Sequence, residues 1–229
     1  MSKPDLPAGA FHGHIGRTFA ESEPWFEEPV HPADDSPNVV IVLLDDTGFA
    51  QLGCYGSEID TPHIDELAAN GLQFTNFHVT PLCSPTRASL LTGRSQHAVG
   101  MRAVSNFQTG FPHQLGHISN HAATVAEVLQ AEGYATFCTG KWHLAPMEQC
   151  SAAGPFEQWP LGRGFDRFYG FLEGETDQFH PQLVCDNHPI DPPGKAEDGY
   201  HLSEDLVDQL LRMVSDSKGG RLDRPFFAY

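Results

Sequence analysis

Cys83 stands immediately before Ser84-Pro85, with Arg87 four residues further on, in the stretch TPLCSPTRASLLTGR. If Ser84 caps a helix and Pro85 is its first residue, Cys83 lies at the helix N-terminus. Free backbone N–H groups and the helix dipole there favour anions and lower a thiol pKa. Residues four apart share a helical face, so Arg87 reaches back toward whatever Cys83 holds. Its guanidinium fork matches a tetrahedral oxyanion. The same residues also describe an inert thiol beside a helix cap with a surface arginine, and the pattern alone leaves both readings open.

Two other groups carry chemistry of a compatible kind. Asp45-Asp46-Thr47-Gly48 ends an apolar run, and two adjacent carboxylates repel one another unless something positive lies between them. A hard divalent cation, Ca²⁺ or Mg²⁺, suits such oxygen donors, although Asp-Asp-Thr-Gly equally starts a polar turn. Lys141-Trp142-His143 forms the third group. Alternation along an extended chain places Lys141 and His143 on one side, one a fixed charge and the other a group titrating near neutrality. Each motif is ordinary alone; together they suit transfer at phosphorus or sulfur, where catalysis is mostly positioning and charge neutralisation.

The elements that must position these residues alternate. Asn38 to Leu44 is a continuous apolar, β-branched run, as expected of a strand buried on both faces. Thr61-Pro62 starts a helix that Gly71 ends, Leu72 to Val79 reads as a second strand, and Ser84-Pro85 opens a helix closed by Gly93. Thr124 to Glu127 has the capping-box pattern, giving a helix that stops at Gly133. Tyr134 to Thr139 is a strand leading into Lys141. Residues 144–200, rich in Gly, Pro and aromatics, read as long surface loops. Leu206, Val207, Leu210, Leu211 and Val214 are spaced as the buried face of a helix, and Arg224 to Tyr229 enters another core strand. The order implies an α/β domain with a mainly parallel sheet, whose sites gather at the strands' carboxyl ends.

Composition bounds the rest. The 229 residues suffice for a substantial core, and the net charge of −17 argues against a nucleic-acid partner. A locally positive pocket survives on an acidic protein, because charges are screened over about 8 Å at physiological salt. No apolar leader and no membrane-spanning run is evident. The five cysteines, Cys54, Cys83, Cys138, Cys150 and Cys185, are odd in number and without a CxxC pair, which fits neither a disulfide framework nor a zinc ribbon. A soluble, cytoplasmic protein is the expectation. Residues 1–36, without periodicity, read as an extended arm ahead of a domain over 37–229; His12 and His14 within it make a weak metal pair beside the plainer reading of a solvated segment.

Cys83-Ser84-Pro85-Thr86-Arg87, followed by Leu91-Thr92-Gly93, resembles the Cys-x-Pro-x-Arg signature of the type I sulfatases. VLLDDTG before it and GYATFCTGKWHL after it are similar to that family's motifs in order and approximate spacing, and TPHIDELAANGLQFTNFH and RPFFAY add to the likeness. GYHLSEDL and NHPIDPP resemble a bacterial arylsulfatase branch. The resemblance implies an alkaline phosphatase-like α/β/α sandwich with a mainly parallel central sheet, incomplete at the C-terminus. It implies hydrolysis of sulfate esters, with Cys83 oxidised to formylglycine by a separate formylglycine-generating enzyme acting as a transient partner. It also implies Ca²⁺ (or Mg²⁺) held by Asp45, Asp46 and the modified Cys83, with Arg87, Lys141 and His143 holding the hydrate and the sulfate oxygens.

A complete member also supplies a later histidine, an Asp-Asn pair for the metal and a second sulfate-binding lysine. None is assigned in this sequence, so the chain is expected to be a truncated N-terminal part with little activity alone. The alternatives are a phosphonate monoester or phosphodiester hydrolase of the same superfamily, a non-catalytic remnant, and a metal-binding or thiol redox protein.

Overall fold

A computed structural model describes residues 11–219 and 224–229. The chain divides into two compact units, one ending at His31 and the other running from Pro32 to Tyr229.

In the first unit the segment is not extended throughout. His14 and Glu23 pair antiparallel around a 3₁₀ turn at Phe19–Glu21. The Ser22 hydroxyl closes that loop, accepting from the Gly16 N–H and donating to the Thr18 carbonyl. The His12 ring lies 4.7 Å from that of Trp25.

The second unit is built on a six-stranded sheet. Its strands are β1 (Val39–Val40), β2 (Ala135–Lys141), β3 (Arg167–Phe171), β4 (Leu183–Cys185), β5 (His188–Ile190) and β6 (Phe226–Ala228), in spatial order β1-β6-β2-β3-β4-β5. The first four in that order run parallel, and β4 and β5 join antiparallel. The helices are α1 (Pro62–Asn70), α2 (Cys83–Thr92), α3 (Val125–Ala131) and α4 (Leu202–Lys218).

Strand alternation divides the core into two faces. Cys138, Phe168 and Phe227 point to one, where they pack with Ala88 and Leu91 of α2, Ala126 of α3, and Trp142, Trp159 and Phe165. Phe137, Tyr169 and Phe171 point to the other and meet Leu202 and Met213 of α4. This layering is the expected α/β/α arrangement around a mainly parallel sheet.

Local signals act as read at two helices. The Thr124 hydroxyl accepts from the Glu127 N–H while the Glu127 carboxylate accepts from the Thr124 N–H, so the capping box forms in full. Pro62 takes the first position of α1 and Gly71 ends it. Thr61, however, turns its hydroxyl to the Asp65 carboxylate instead of capping, and that carboxylate also takes the Cys54 N–H.

Four expectations are corrected. The run from Asn38 is covered on one face only, where Val39, Ile41 and Leu43 are partly buried. Val40, Val42 and Leu44 are 55%, 78% and 45% exposed, because β1 is the edge of the sheet among the described residues and covers just the side turned to the core. Leu72 to Val79 is not a strand: no neighbouring strand takes its backbone groups, and Leu72, Phe74, Phe77 and Val79 stay exposed. Residues 144–200 are not loops throughout, since β3, β4 and β5 lie within them and Trp159, Phe165 and Phe168 are fully buried; gaps between short strands look like loops when glycines interrupt the pattern. On α4, Leu206 and Leu210 join the core, but Val207 and Leu211 are exposed. Its buried stripe runs through Leu202, Leu206, Leu210 and Met213, and the other two lie to one side.

Candidate active site

The six residues singled out in the sequence gather at one end of the parallel strands. Lys141 is the last residue of β2, Asp45 follows the continuation of β1, and Tyr229 follows β6. α2 points its first turn at the same place. The helix begins two residues earlier than the sequence suggested: Leu82 is the residue before it, Cys83 is its first, and Ser84 is not its cap.

Ser84 is used differently. It is fully buried, its hydroxyl donating to the His143 carbonyl at 2.7 Å and accepting from the Ser105 N–H at 3.1 Å. A side chain that joins a helix start to two loops cannot be swapped for an apolar one without leaving buried polar groups unpaired.

Asp45 is the electrostatic hub. Its Oδ2 lies 2.5 Å from Lys141 Nζ and 3.4 Å from Arg87 Nη2. Burial pushes the Asp45 carboxyl up, but the hydrogen bond and charge of Lys141 and the charge of Arg87 outweigh it and hold the group below its ordinary value. Arg87 is buried. Its Nη1 donates to the Lys141 carbonyl at 2.6 Å and lies 3.4 Å from the Tyr229 hydroxyl, while its Nε has no partner.

Cys83 Sγ lies 3.1 Å from His143 Nδ1. Trp142 buries its ring in the core and donates from Nε1 to the Gln158 carbonyl. His143 then turns back to the site through a left-handed backbone, φ 53°, so Lys141 and His143 converge without the extended geometry expected. The imidazole does not titrate near neutrality. Burial first, then the charges of Lys141 and Arg87, push its pKa down to about 4, leaving a neutral ring at physiological pH.

Asp46 is exposed and also left-handed, φ 51°. With Asp45 it supplies hard oxygen donors of the type Ca²⁺ takes, but two carboxylates fall short of the six to eight oxygens that ion requires. Among the described residues, no three His, Cys, Asp or Glu side chains form a metal-holding group. The donor type therefore fits, and the shell drawn from these residues is partial.

Sequence reasoning missed Asn106 and Glu173. Asn106 Oδ1 lies 2.5 Å from His143 Nε2, and its Nδ2 donates to Glu173 Oε2 at 3.4 Å. Asn106 sits in a polar loop carrying no motif, and only the folded chain brings it to His143. A cavity of 580 Å³ adjoins the cluster, with Asp45, Arg87 and Lys141 at one end and the exposed apolar flank of Val40, Val42 and Val207 along its side.

Residues 37–229 match the Sulfatase family. Over 165 residues the chain is 41% identical to human arylsulfatase A, a match covering 71% of this chain and 30% of that protein. It is 34% identical over 209 residues to an uncharacterized sulfatase of Schizosaccharomyces pombe, covering 84% of this chain and 36% of that one. The crystal structure of Ps i-CgsB superposes with a TM-score of 0.70 at 27% identity, over 84% of this chain and 44% of that structure. The chain thus spans about a third of the length of the curated relatives it matches.

Proposed function

The chain belongs to the sulfatase family, and from that premise we propose that its cluster is the anion-binding half of a site hydrolysing sulfate esters, of arylsulfatase type. The observation that supports this most is the gathering, at the strands' carboxyl ends, of Arg87 and Lys141 on the Asp45 carboxylate with Cys83 paired to His143.

The chemistry follows from the charges. A sulfate monoester is a tetrahedral anion, and hydrolysis builds negative charge on the oxygen that leaves. Arg87 and Lys141 hold two fixed positive charges in a place mostly withdrawn from water, where each counts for more than at the surface. The N-terminus of α2 adds backbone N–H groups at the same point. His143, neutral at physiological pH, offers a ring nitrogen to the group at position 83 and takes no charge from the site. Oxidation of Cys83 to formylglycine by a formylglycine-generating enzyme would supply a hydrated aldehyde, a harder nucleophile than a thiolate for sulfur(VI). Asp45, Asp46 and the modified residue would hold Ca²⁺, with Mg²⁺ as the substitute, and a bound cation supplies further positive charge. Donors beyond these three complete its shell.

The test is mass spectrometry of the peptide containing Cys83 after coexpression with a formylglycine-generating enzyme, paired with turnover of nitrophenyl sulfate and nitrophenyl phosphate by a chain of full sulfatase length. Conversion of thiol to aldehyde and preference for sulfate support the reading. An unmodified thiol overturns the formylglycine assignment. Preference for phosphate favours a phosphonate monoester or phosphodiester hydrolase, and the retained Arg87–Lys141 pair suits that anion as well.

A further inference from the structure

Apart from Cys83 at Nδ1, the backbone and ring of His143 are held by groups that the proposed reaction does not itself use. The Ser84 hydroxyl fixes its carbonyl, and the His143 N–H donates to the Leu172 carbonyl at 3.0 Å. Gly174 packs flat against the ring: a Cβ there would lie 2.9 Å from Cε1 and 3.1 Å from Nε2. The next residue back, Glu173, holds Asn106, and Asn106 holds Nε2.

The order of donors along this row is determined. A carboxylate oxygen can only accept, so the Asn106 amide must turn its NH₂ toward Glu173. That leaves Oδ1 facing His143, and Oδ1 can only accept as well. A neutral imidazole carries one N–H, which must therefore sit on Nε2. Nδ1 is left with a lone pair directed at Cys83 Sγ, 3.1 Å away. The reverse order would set the amide oxygen against the Glu173 carboxylate, acceptor against acceptor.

We propose that Asn106, oriented by Glu173, is a positioning residue that locks His143 in the Nε2–H tautomer and so presents an acceptor to the group at position 83. The thiol S–H donates to that acceptor in the unmodified chain; any hydroxyl at the same position meets the same lone pair. The significance for turnover rests on the sulfatase reading above, whereas the tautomer itself does not.

The experiment is long-range ¹H–¹⁵N NMR on histidine-labelled, unmodified protein, with alkylation of Cys83 by iodoacetamide followed on its peptide. The chain as it stands should show Nε2–H at His143; Nδ1–H there overturns the proposal. Asn106→Leu should populate both tautomers and slow Cys83 alkylation by about tenfold, in keeping with loss of a positioned proton acceptor. Asn106→Asp combined with Glu173→Gln, which keeps an acceptor toward Nε2 and a donor between the two side chains, should restore Nε2–H. An unchanged single tautomer in Asn106→Leu overturns the role of Asn106. Should that variant not fold, Glu173→Gln serves instead: its amide can donate or accept, so the lock on Asn106 loosens, and a tautomer still purely Nε2–H overturns the role of Glu173. Absence of sulfate-ester turnover in a modified chain of full sulfatase length would refute the proposed function and leave the tautomer result intact.

Discussion

Lys141–His143 and Asp45–Asp46 lie at the same end of the same sheet, yet their surroundings differ. β2 runs between β3 and β6, so the residues at its end enter a packed space: His143 is 4% exposed, as is Arg87 of α2 beside it. β1 has β6 on one side only among the described residues, and its tip is open to solvent. Burial makes the first group specific. It fixes one tautomer-ready ring, two cations and their hydrogen bonds, and moves the His143 pKa down to about 4. The second group keeps the freedom of an exposed turn, tied at Asp45 alone. One end of a sheet thus places a packed pair of cations, Arg87 and Lys141, beside an exposed pair of carboxylates.

The contrast breaks most readily in the core beneath it. Phe227 on β6 is fully buried between the two groups and stacks against Phe165. Phe227→Ala should cost about 3–5 kcal/mol, read as a lower urea midpoint. Val42→Ala on the exposed flank should stay within about 0.5 kcal/mol. Equal losses would mean that the two sides are built alike.

Chemistry sharpens it next. In a chain of full sulfatase length carrying formylglycine at position 83, Lys141→Met should lower nitrophenyl sulfate turnover by about 10²–10³-fold, the usual scale for removing one charge-stabilising donor. Val42→Ala should leave that rate unchanged. A Lys141→Met variant with full activity would remove Lys141 from the site.

The same contrast separates what could be read from the sequence from what could not. Spacing was enough where a signal is local. Thr124 and Glu127 satisfy each other within one turn, and Cys83 and Arg87 share a helix, so both were legible. Lys141 and His143 were legible as a pair, but the left-handed turn that joins them was not, because only a buried Trp142 and the Leu172 carbonyl force it. The sidedness of the Asn38 run depends on which strands flank it, and Leu72 to Val79 depends on a strand partner it does not have among the described residues. Asn106 shows the limit most plainly: its role comes from Glu173, 67 residues away, and no nearby residue announces it.

Acidification probes the buried group by itself. Burial and the neighbouring cations lower the His143 pKa from 6.5 to about 4. Between those values the unfolded chain binds the proton and the folded chain does not, so stability falls as pH drops from about 6.5 and the loss is complete near pH 4. At 1.36 kcal/mol per unit the full loss is on the order of 3 kcal/mol. Urea titrations at stepped pH should show this slope, and His143→Gln should flatten it. A parent slope no steeper than that of the variant would mean the ring takes up its proton without strain.

The smallest effects compare two adjacent residues at the tip of β1. Asp45 balances Lys141 and Arg87, both largely buried, so Asp45→Ala leaves two cations without their shared acceptor. The cost should be about 1.5–3 kcal/mol, the range for hydrogen bonds to charged groups. Asp46 is exposed and its side chain has no hydrogen bond or ion pair among the described residues, so Asp46→Ala should change stability by no more than about 0.5 kcal/mol. Calcium should separate them in the opposite sense. If Asp46 is held in readiness for a cation, added Ca²⁺ stabilises the parent by mass action and Asp46→Ala abolishes that gain while costing nothing without the ion. A calcium effect retained in Asp46→Ala would place the cation elsewhere and leave Asp45 as a partner of Lys141 and Arg87 alone.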